Sequence, residues 1–252
     1  MLVTIFLGVT KVTDDLQETI QFWDEFAEEY AEIQSESQIT IAEDVAQFMV
    51  ERQILPTNAF VDIAGGHGRY VSAIIHFVQD YVLVDFSKEM IRLAKATNLF
   101  KNFDTLTLSQ EDFILQTLPQ SYDIVFTAMN PSLTDKKTFN KLLDRAANYF
   151  CILRMIEEQD DVFSPFEKTE KDHLMDMYKS WLETPYESIL FSYKKEKSVS
   201  RSFFKDYFSD DYSEEKLNDM LNNTFGSCNE KINQTKITFE LLLIPKERNE
   251  EK

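Results

Sequence analysis

Ala59-Phe60-Val61-Asp62-Ile63-Ala64-Gly65-Gly66-His67-Gly68-Arg69-Tyr70 is the stretch that decides how this chain folds. An apolar run ends on a carboxylate, breaks into glycines, and resumes as the amphipathic Tyr70-Val71-Ser72-Ala73-Ile74-Ile75. That order is a buried strand, a tight loop and a helix over about 69–78, the opening of a βαβ unit. The sequence has five glycines, and Gly65, Gly66 and Gly68 are three of them. Glycine is needed where φ is positive or where a ligand lies against the main chain. Its concentration here points to a ligand site after the first strand.

The pattern repeats downstream. Tyr81-Val82-Leu83-Val84-Asp85 is a second apolar run, short enough for a strand buried on both faces, and it too ends on an acid. Ser87 is placed to cap the helix that follows. Leu106-Thr107-Leu108 and Tyr122–Thr127 are expected as the third and fourth strands, followed by a helix near 135–148 and a fifth strand at 149–156. Strands alternating with helices predict an α/β fold with a doubly wound, mostly parallel sheet. Ligands of such sheets sit beyond the carboxyl ends of the strands, where Asp62, Asp85, Asp112 and Asn130 fall.

A single domain is expected over 1–252. Two helices, at 14–34 and 39–53, make an N-terminal cap (14–53) that carries Trp23 and Tyr30. The core spans 59–157. A largely helical insertion after strand five (158–225) includes a helix at 167–183 with Tyr178 and Trp181, a short strand at 189–193 and a helix at 213–224. A last strand lies within 236–246. Met1–Leu7 is apolar but lacks a basic flank and is too short to cross a bilayer, so a short strand or loose start is expected, with no targeting signal.

Composition narrows the partners. The chain has 252 residues, 43% hydrophobic and 28% charged, with a formal net charge of −18. A surface this acidic repels phosphate backbones and anionic lipid heads, so neither nucleic acid nor membrane is expected. The two cysteines, Cys151 and Cys228, are far apart and fit reduced thiols in a cytoplasmic protein. No metal site is expected. His67 is expected to point to solvent or cap the following helix, His76 to be structural, and His173 to ride on the insertion helix.

Two phosphate-binding patterns are absent. In the frame Gly66-His67-Gly68-Arg69-Tyr70-Val71, valine stands where a dinucleotide fingerprint needs its third glycine, and no Lys-Ser/Thr pair makes a phosphate loop. The pattern is acid-x-Ala-x-Gly-x-Gly, with a second strand-ending acid 23 residues on, from Asp62 to Asp85. Here the chain resembles the class I S-adenosylmethionine-dependent methyltransferases. Their first motif is typically acid-x-Gly-x-Gly-x-Gly, and Asp62–Gly68 departs from it only at Ala64. Val84–Met90 looks like the second motif, Glu111-Asp112-Phe113 like the third, and Tyr122–Phe126 like the fourth strand, all in register over about 40–160.

The resemblance implies a seven-stranded sheet with an antiparallel last strand, and S-adenosylmethionine as cofactor with S-adenosylhomocysteine as product. It implies a cofactor site made by Asp62, Ala64, Gly65, Gly66, His67, Gly68, Asp85, Phe86, Glu111, Asp112, Phe113 and Asn130. Asp85 would hold the ribose diol, which offers two donors to one carboxylate. Asp112 would take the adenine amino group, and the neighbouring backbone would flank the ring. Methyl transfer is an in-line displacement that needs alignment rather than a fixed catalytic residue, and none is assigned. Asn130-Pro131-Ser132-Leu133 lacks the second proline and the aromatic residue that the family's nucleic-acid amino-methylating members carry. A small-molecule acceptor is therefore expected, bordered by Trp23, Tyr30, Asn130, Tyr178 and Trp181, in a monomer or homodimer. The alternatives are a protein or RNA acceptor, an inactive module that only binds the cofactor and, least favoured, a nicotinamide dehydrogenase.

Overall fold

Strand β1 (Thr57–Ile63) is the centre of the structure, a computed structural model that describes residues 16–167 and 173–246. β1 is paired in parallel on both sides, with β2 (Val78–Asp85) and with β4 (Tyr122–Ala128). β2 pairs in parallel with β3 (Phe103–Thr107), and β4 with β5 (Ala146–Asp160). The sheet has seven strands in the order β3-β2-β1-β4-β5-β7-β6, where β6 is Glu187–Ser200 and β7, the antiparallel last strand, is Glu230–Pro245. The expected doubly wound fold is present. Strand order reverses between β1 and β4, which puts the switch point beside the glycine loop.

The central strands are held by rings as well as by hydrogen bonds. Phe60 of β1 lies 5.0 Å from the Tyr81 ring of β2 and 5.7 Å from the Phe126 ring of β4. Centroid distances of this size are those of favourable offset or tilted aromatic pairs.

Two helices precede the sheet, α1 (Leu16–Ser35) and α2 (Ile41–Glu51). The crossover from β1 to β2 is shorter than the spacing predicts. It is one α-helical turn, α3 (Val71–Ile74), and one 3-10 turn (Ile75–Phe77). The Asn102 amide donates to the Ile75 and Val78 carbonyls, so these groups are satisfied outside a longer helix and β2 begins at once. The next helices have side-chain caps: Ser87 for α4 (Lys88–Thr97), Ser109 for α5 (Gln110–Gln116) and Asp135 for α6 (Lys136–Arg145). α7 (Leu174–Trp181) is shorter than the expected 167–183 helix, part of which falls on 168–172, outside the described residues, as does the apolar start Met1–Leu7.

The chain divides into two compact units. The first contains 16–154, 173–191 and 240–246, and with them the parallel part of the sheet. The second contains 155–167 and 192–239. It is built from the remaining lengths of β5, β6 and β7 with two helices, α8 (Arg201–Tyr207) and α9 (Glu214–Phe225). Its core includes Phe163, Val199, Phe204, Phe208, Leu217 and Phe225. α8 escapes the sequence reading, as do the full lengths of β6 and β7.

Candidate active site

Asp85, the last residue of β2, organises the larger of two cavities at the carboxyl ends of the parallel strands. The Gly66 N–H donates to its Oδ2 at 2.9 Å and the Ser87 N–H to its Oδ1 at 2.8 Å. The side chain is therefore fixed by the glycine loop on one side and by the start of α4 on the other. Burial pushes its pKa up to about 6 against these hydrogen bonds, and the charge of Asp24 adds to the rise.

The cavity beside it is about 490 Å³, within the usual range for small-molecule sites. Ala64, Asp85, Phe86, Glu111, Asp112 and Asn130 all line it, so the structure brings together six of the residues singled out from the sequence. Leu16 and Thr19 of α1, with Leu108, Ser109 and Gln110, complete much of the wall. Glu111 and Asp112 are exposed in the first turn of α5, where Ser109 donates to Asp112 Oδ2 at 2.9 Å and accepts the Asp112 N–H at 3.0 Å. Asn130 braces the loop after β4, where its amide donates to Gln110 Oε1 at 3.1 Å and its Oδ1 accepts the Ser132 N–H at 2.9 Å.

Ala64 also lines a second, smaller cavity of about 40 Å³. Asp62, Gly65, Gly66 and His67 lie there, joined by Tyr30 and Gln34 of α1 and by Arg69. Three side-chain atoms of this wall are buried without a hydrogen-bond partner: Gln34 Nε2, Asp62 Oδ1 and His67 Nε2. A buried polar atom left unpaired costs about 1–3 kcal/mol, and three of them share this one small cavity. Tyr81 donates to the other Asp62 oxygen at 2.9 Å, and burial drives the Asp62 pKa up to about 7. Arg69 donates to Gln34 Oε1. Burial and the Arg69 charge lower the His67 pKa to about 4, so its ring is neutral near pH 7. The ring lies edge-on to Tyr30 at 5.9 Å rather than in solvent or over the following helix.

The glycine loop sets this geometry. A β-carbon on Gly65 would lie 2.7 Å from Leu83 Cγ and 2.9 Å from Asp62 Oδ2, so the loop can follow this path only with glycine there. Ala64 has φ +56°, a left-handed conformation that glycine adopts without strain.

Several expected residues lie elsewhere. Phe113 is fully buried against Tyr122 at 5.7 Å and lines neither cavity, because the apolar face of α5 turns into the core. Gly68 shapes the loop at φ +87° without reaching either cavity. Tyr178 and Trp181 pack around Phe139 at 5.8 and 5.5 Å, and the Tyr178 hydroxyl donates to the Leu133 carbonyl at 2.8 Å. Tyr178 is a core residue of the first unit and Trp181 a half-buried one, and neither lines either cavity. Trp23 lies edge-on to Tyr30 at 5.6 Å and lines neither. His173 is at the start of α7, away from both cavities. Among the described residues, no group of three or more His, Cys, Asp or Glu is placed to hold a metal ion, and no helix is long and apolar enough to cross a membrane. Cys151 is buried and Cys228 exposed, both as free thiols.

A family profile described as "Methyltransferase domain" matches residues 60–150. No curated protein sequence matches the chain. Three solved structures share its fold at low identity. One is a protein of Anaeromyxobacter dehalogenans proposed to be a type II methyltransferase, with 14% identity, TM-score 0.51, and coverage of 81% of this chain and 95% of the other. The second is the DhpI–SAH complex, with 11% identity, TM-score 0.51, and coverage of 92% and 97%. The third is the magnesium protoporphyrin IX methyltransferase ChlM of Synechocystis PCC 6803 with bound SAM, with 11% identity, TM-score 0.51, and coverage of 92% and 98%. Residues 60–150 therefore match a methyltransferase domain, and the seven strands in the order 3-2-1-4-5-7-6, with the glycine loop beside two adjoining cavities, have the class I methyltransferase fold.

Proposed function

We propose that this protein transfers the methyl group of S-adenosylmethionine to a small-molecule acceptor. In this reading the adenosine lies in the larger cavity, with its ribose diol on Asp85 and its adenine near Asp112 and Glu111. The amino-acid end lies in the smaller cavity. Its ammonium donates to Asp62 Oδ1, and its carboxylate accepts from Gln34 Nε2 and faces Arg69. The supporting observation is the set of three buried, unpartnered atoms on one cavity that adjoins the Asp85 cavity at Ala64. The cofactor supplies an electrophilic methyl on a cationic sulfur. The protein supplies two buried carboxylates for cationic and donor groups, and walls that fix the direction of displacement.

The acceptor is proposed to be small because a net charge of −18 disfavours phosphate backbones, and because one relative of the same fold is a magnesium protoporphyrin IX methyltransferase. Isothermal titration of S-adenosylmethionine and S-adenosylhomocysteine tests the cofactor. Micromolar binding is expected, weakened by roughly tenfold or more in Asp85→Ala and in Gln34→Ala, as for loss of a charge-assisted or buried hydrogen bond. No heat with either ligand overturns the proposal. A methyl-labelled donor, offered small-molecule and protein fractions separately, then identifies the acceptor class.

A further inference from the structure

α1 reaches the site twice: Leu16 and Thr19 line the larger cavity, and Tyr30 and Gln34 line the smaller one. Between these two pairs, Asp24 joins α1 to the residues that hold Asp85. Its Oδ1 accepts the Ser87 hydroxyl at 2.7 Å and the Glu89 N–H at 3.2 Å. The exposed Lys88 ammonium lies 3.7 Å from its Oδ2, and the Asp24 side chain keeps only 15% of its exposure. Ser87 in turn caps α4 by accepting the Met90 N–H at 3.1 Å, and its own N–H donates to Asp85 Oδ1. The other Asp85 oxygen takes the Gly66 N–H. One continuous chain of hydrogen bonds thus runs from Asp24 through Ser87 and Asp85 to Gly66. A second tie, Arg92 to Glu28 at 2.8 Å, is exposed and worth little by itself.

We propose that Asp24 is a positioning residue for the cofactor, latching α1 onto Ser87 and so fixing both the Asp85 carboxylate and the walls that α1 lends to the two cavities. This rests on the assignment of Asp85 to the cofactor. Asp24 touches no ligand in it. It acts by holding Ser87, whose hydroxyl cannot turn without giving up either the carboxylate or the α4 cap. Loss of the latch frees Asp85 to leave Gly66 and frees α1 to move off both cavities together.

The test reads Gly66 amide exchange by NMR in the free protein and S-adenosylhomocysteine affinity by titration. In Asp24→Ala, the Gly66 amide, which is remote from residue 24 along the chain and bonded to Asp85, exchanges about tenfold faster and affinity falls about tenfold. Asp24→Asn keeps an oxygen acceptor for Ser87 and restores both readouts. Ser87→Ala, which also removes the α4 cap, shifts both readouts at least as far as Asp24→Ala, and the double variant is no worse than Ser87→Ala, as for residues acting in one chain. A folded Asp24→Ala with wild-type Gly66 exchange overturns the latch, as do effects of Asp24→Ala and Ser87→Ala that simply add. If Asp24→Ala does not fold, Ser87→Ala carries the same readouts. A wild type that binds no S-adenosylhomocysteine overturns the cofactor assignment, while Gly66 exchange still decides the latch.

Discussion

The Tyr81 hydroxyl donates to the Asp62 carboxylate across the β1–β2 pair at 2.9 Å, in a place where neither side chain reaches solvent. The other oxygen of this buried acid has no hydrogen-bond partner. Tyr81→Phe keeps the ring against Phe60 and removes the donor, leaving both Asp62 oxygens without this support. A loss of about 1–3 kcal/mol is expected. It should be read as a lower urea midpoint at unchanged m-value, together with weaker S-adenosylmethionine binding. Unchanged stability would show that Asp62 does not depend on this bond.

Burial dominates the titration of the site and gives stability two limbs. Asp62 and Asp85 are raised from 3.8 to about 7 and about 6, so the folded state holds these protons more tightly than the unfolded chain. Their contribution to stability is complete below about pH 4 and is lost as pH rises through 6 and 7. His67 is lowered from 6.5 to about 4, so its contribution is complete above its ordinary value and is lost as pH falls towards 4. Between pH 6.5 and 8 only the carboxylate limb acts. The ligand-free protein should lose melting temperature across that window by calorimetry, and Asp62→Asn should flatten the loss. Below pH 6.5 the His67 limb opposes the two carboxylate limbs, so His67→Gln should steepen the gain in stability as pH falls towards 4.

How much of this was legible depended on whether one residue type had one reading. An acid closing an apolar run, followed by glycines, has few readings, and Asp62, Ala64, Gly65, Gly66 and Asp85 do converge at the strand ends. An aromatic residue on an amphipathic helix has two, core or pocket, with the same spacing. Tyr178 went into the core and Trp181, half-buried, packed against the same Phe139 ring, while Tyr30 took the cavity wall. Gln34 and Arg69 carry no periodic signal at all, and only the fold makes them neighbours. β6 is an edge strand, so Lys194, Lys195 and Lys197 interrupt the alternation that would have marked its full length. Ser109, three residues before Asp112, was the readable sign that Asp112 sits in the first turn of a helix.

Adjacent loop residues should respond in opposite directions. Gly65→Ala would drive a methyl group into Leu83 and the Asp62 carboxylate, at 2.7 and 2.9 Å. Overpacking of this kind costs about 1–3 kcal/mol, and the displaced Asp62 should carry cofactor affinity down with it. Ala64→Gly instead relieves a left-handed alanine at φ +56°. It should be neutral or stabilising by up to about 1 kcal/mol, with cofactor affinity kept or improved. Thermal melts and titrations of the two variants side by side check this. A destabilised Ala64→Gly would show that the alanine methyl packs well enough to outweigh its backbone strain.

The second unit supplies a separate test of packing. Phe204 is fully buried among Phe163, Phe166, Phe208 and Phe225, with ring centroids 5.5, 5.7, 5.0 and 5.5 Å away. α8 is a short helix and α9 a modest one, and neither would persist in water without burial of such a face. Phe204→Ala removes the ring that joins them and should cost about 3–5 kcal/mol. Hydrogen exchange should accelerate through both 201–207 and 214–225. Phe204→Leu, which refills most of the volume, should recover much of the protection. Faster exchange confined to α8 would mean that α9 is held by Leu217 and Leu221 independently of the rings.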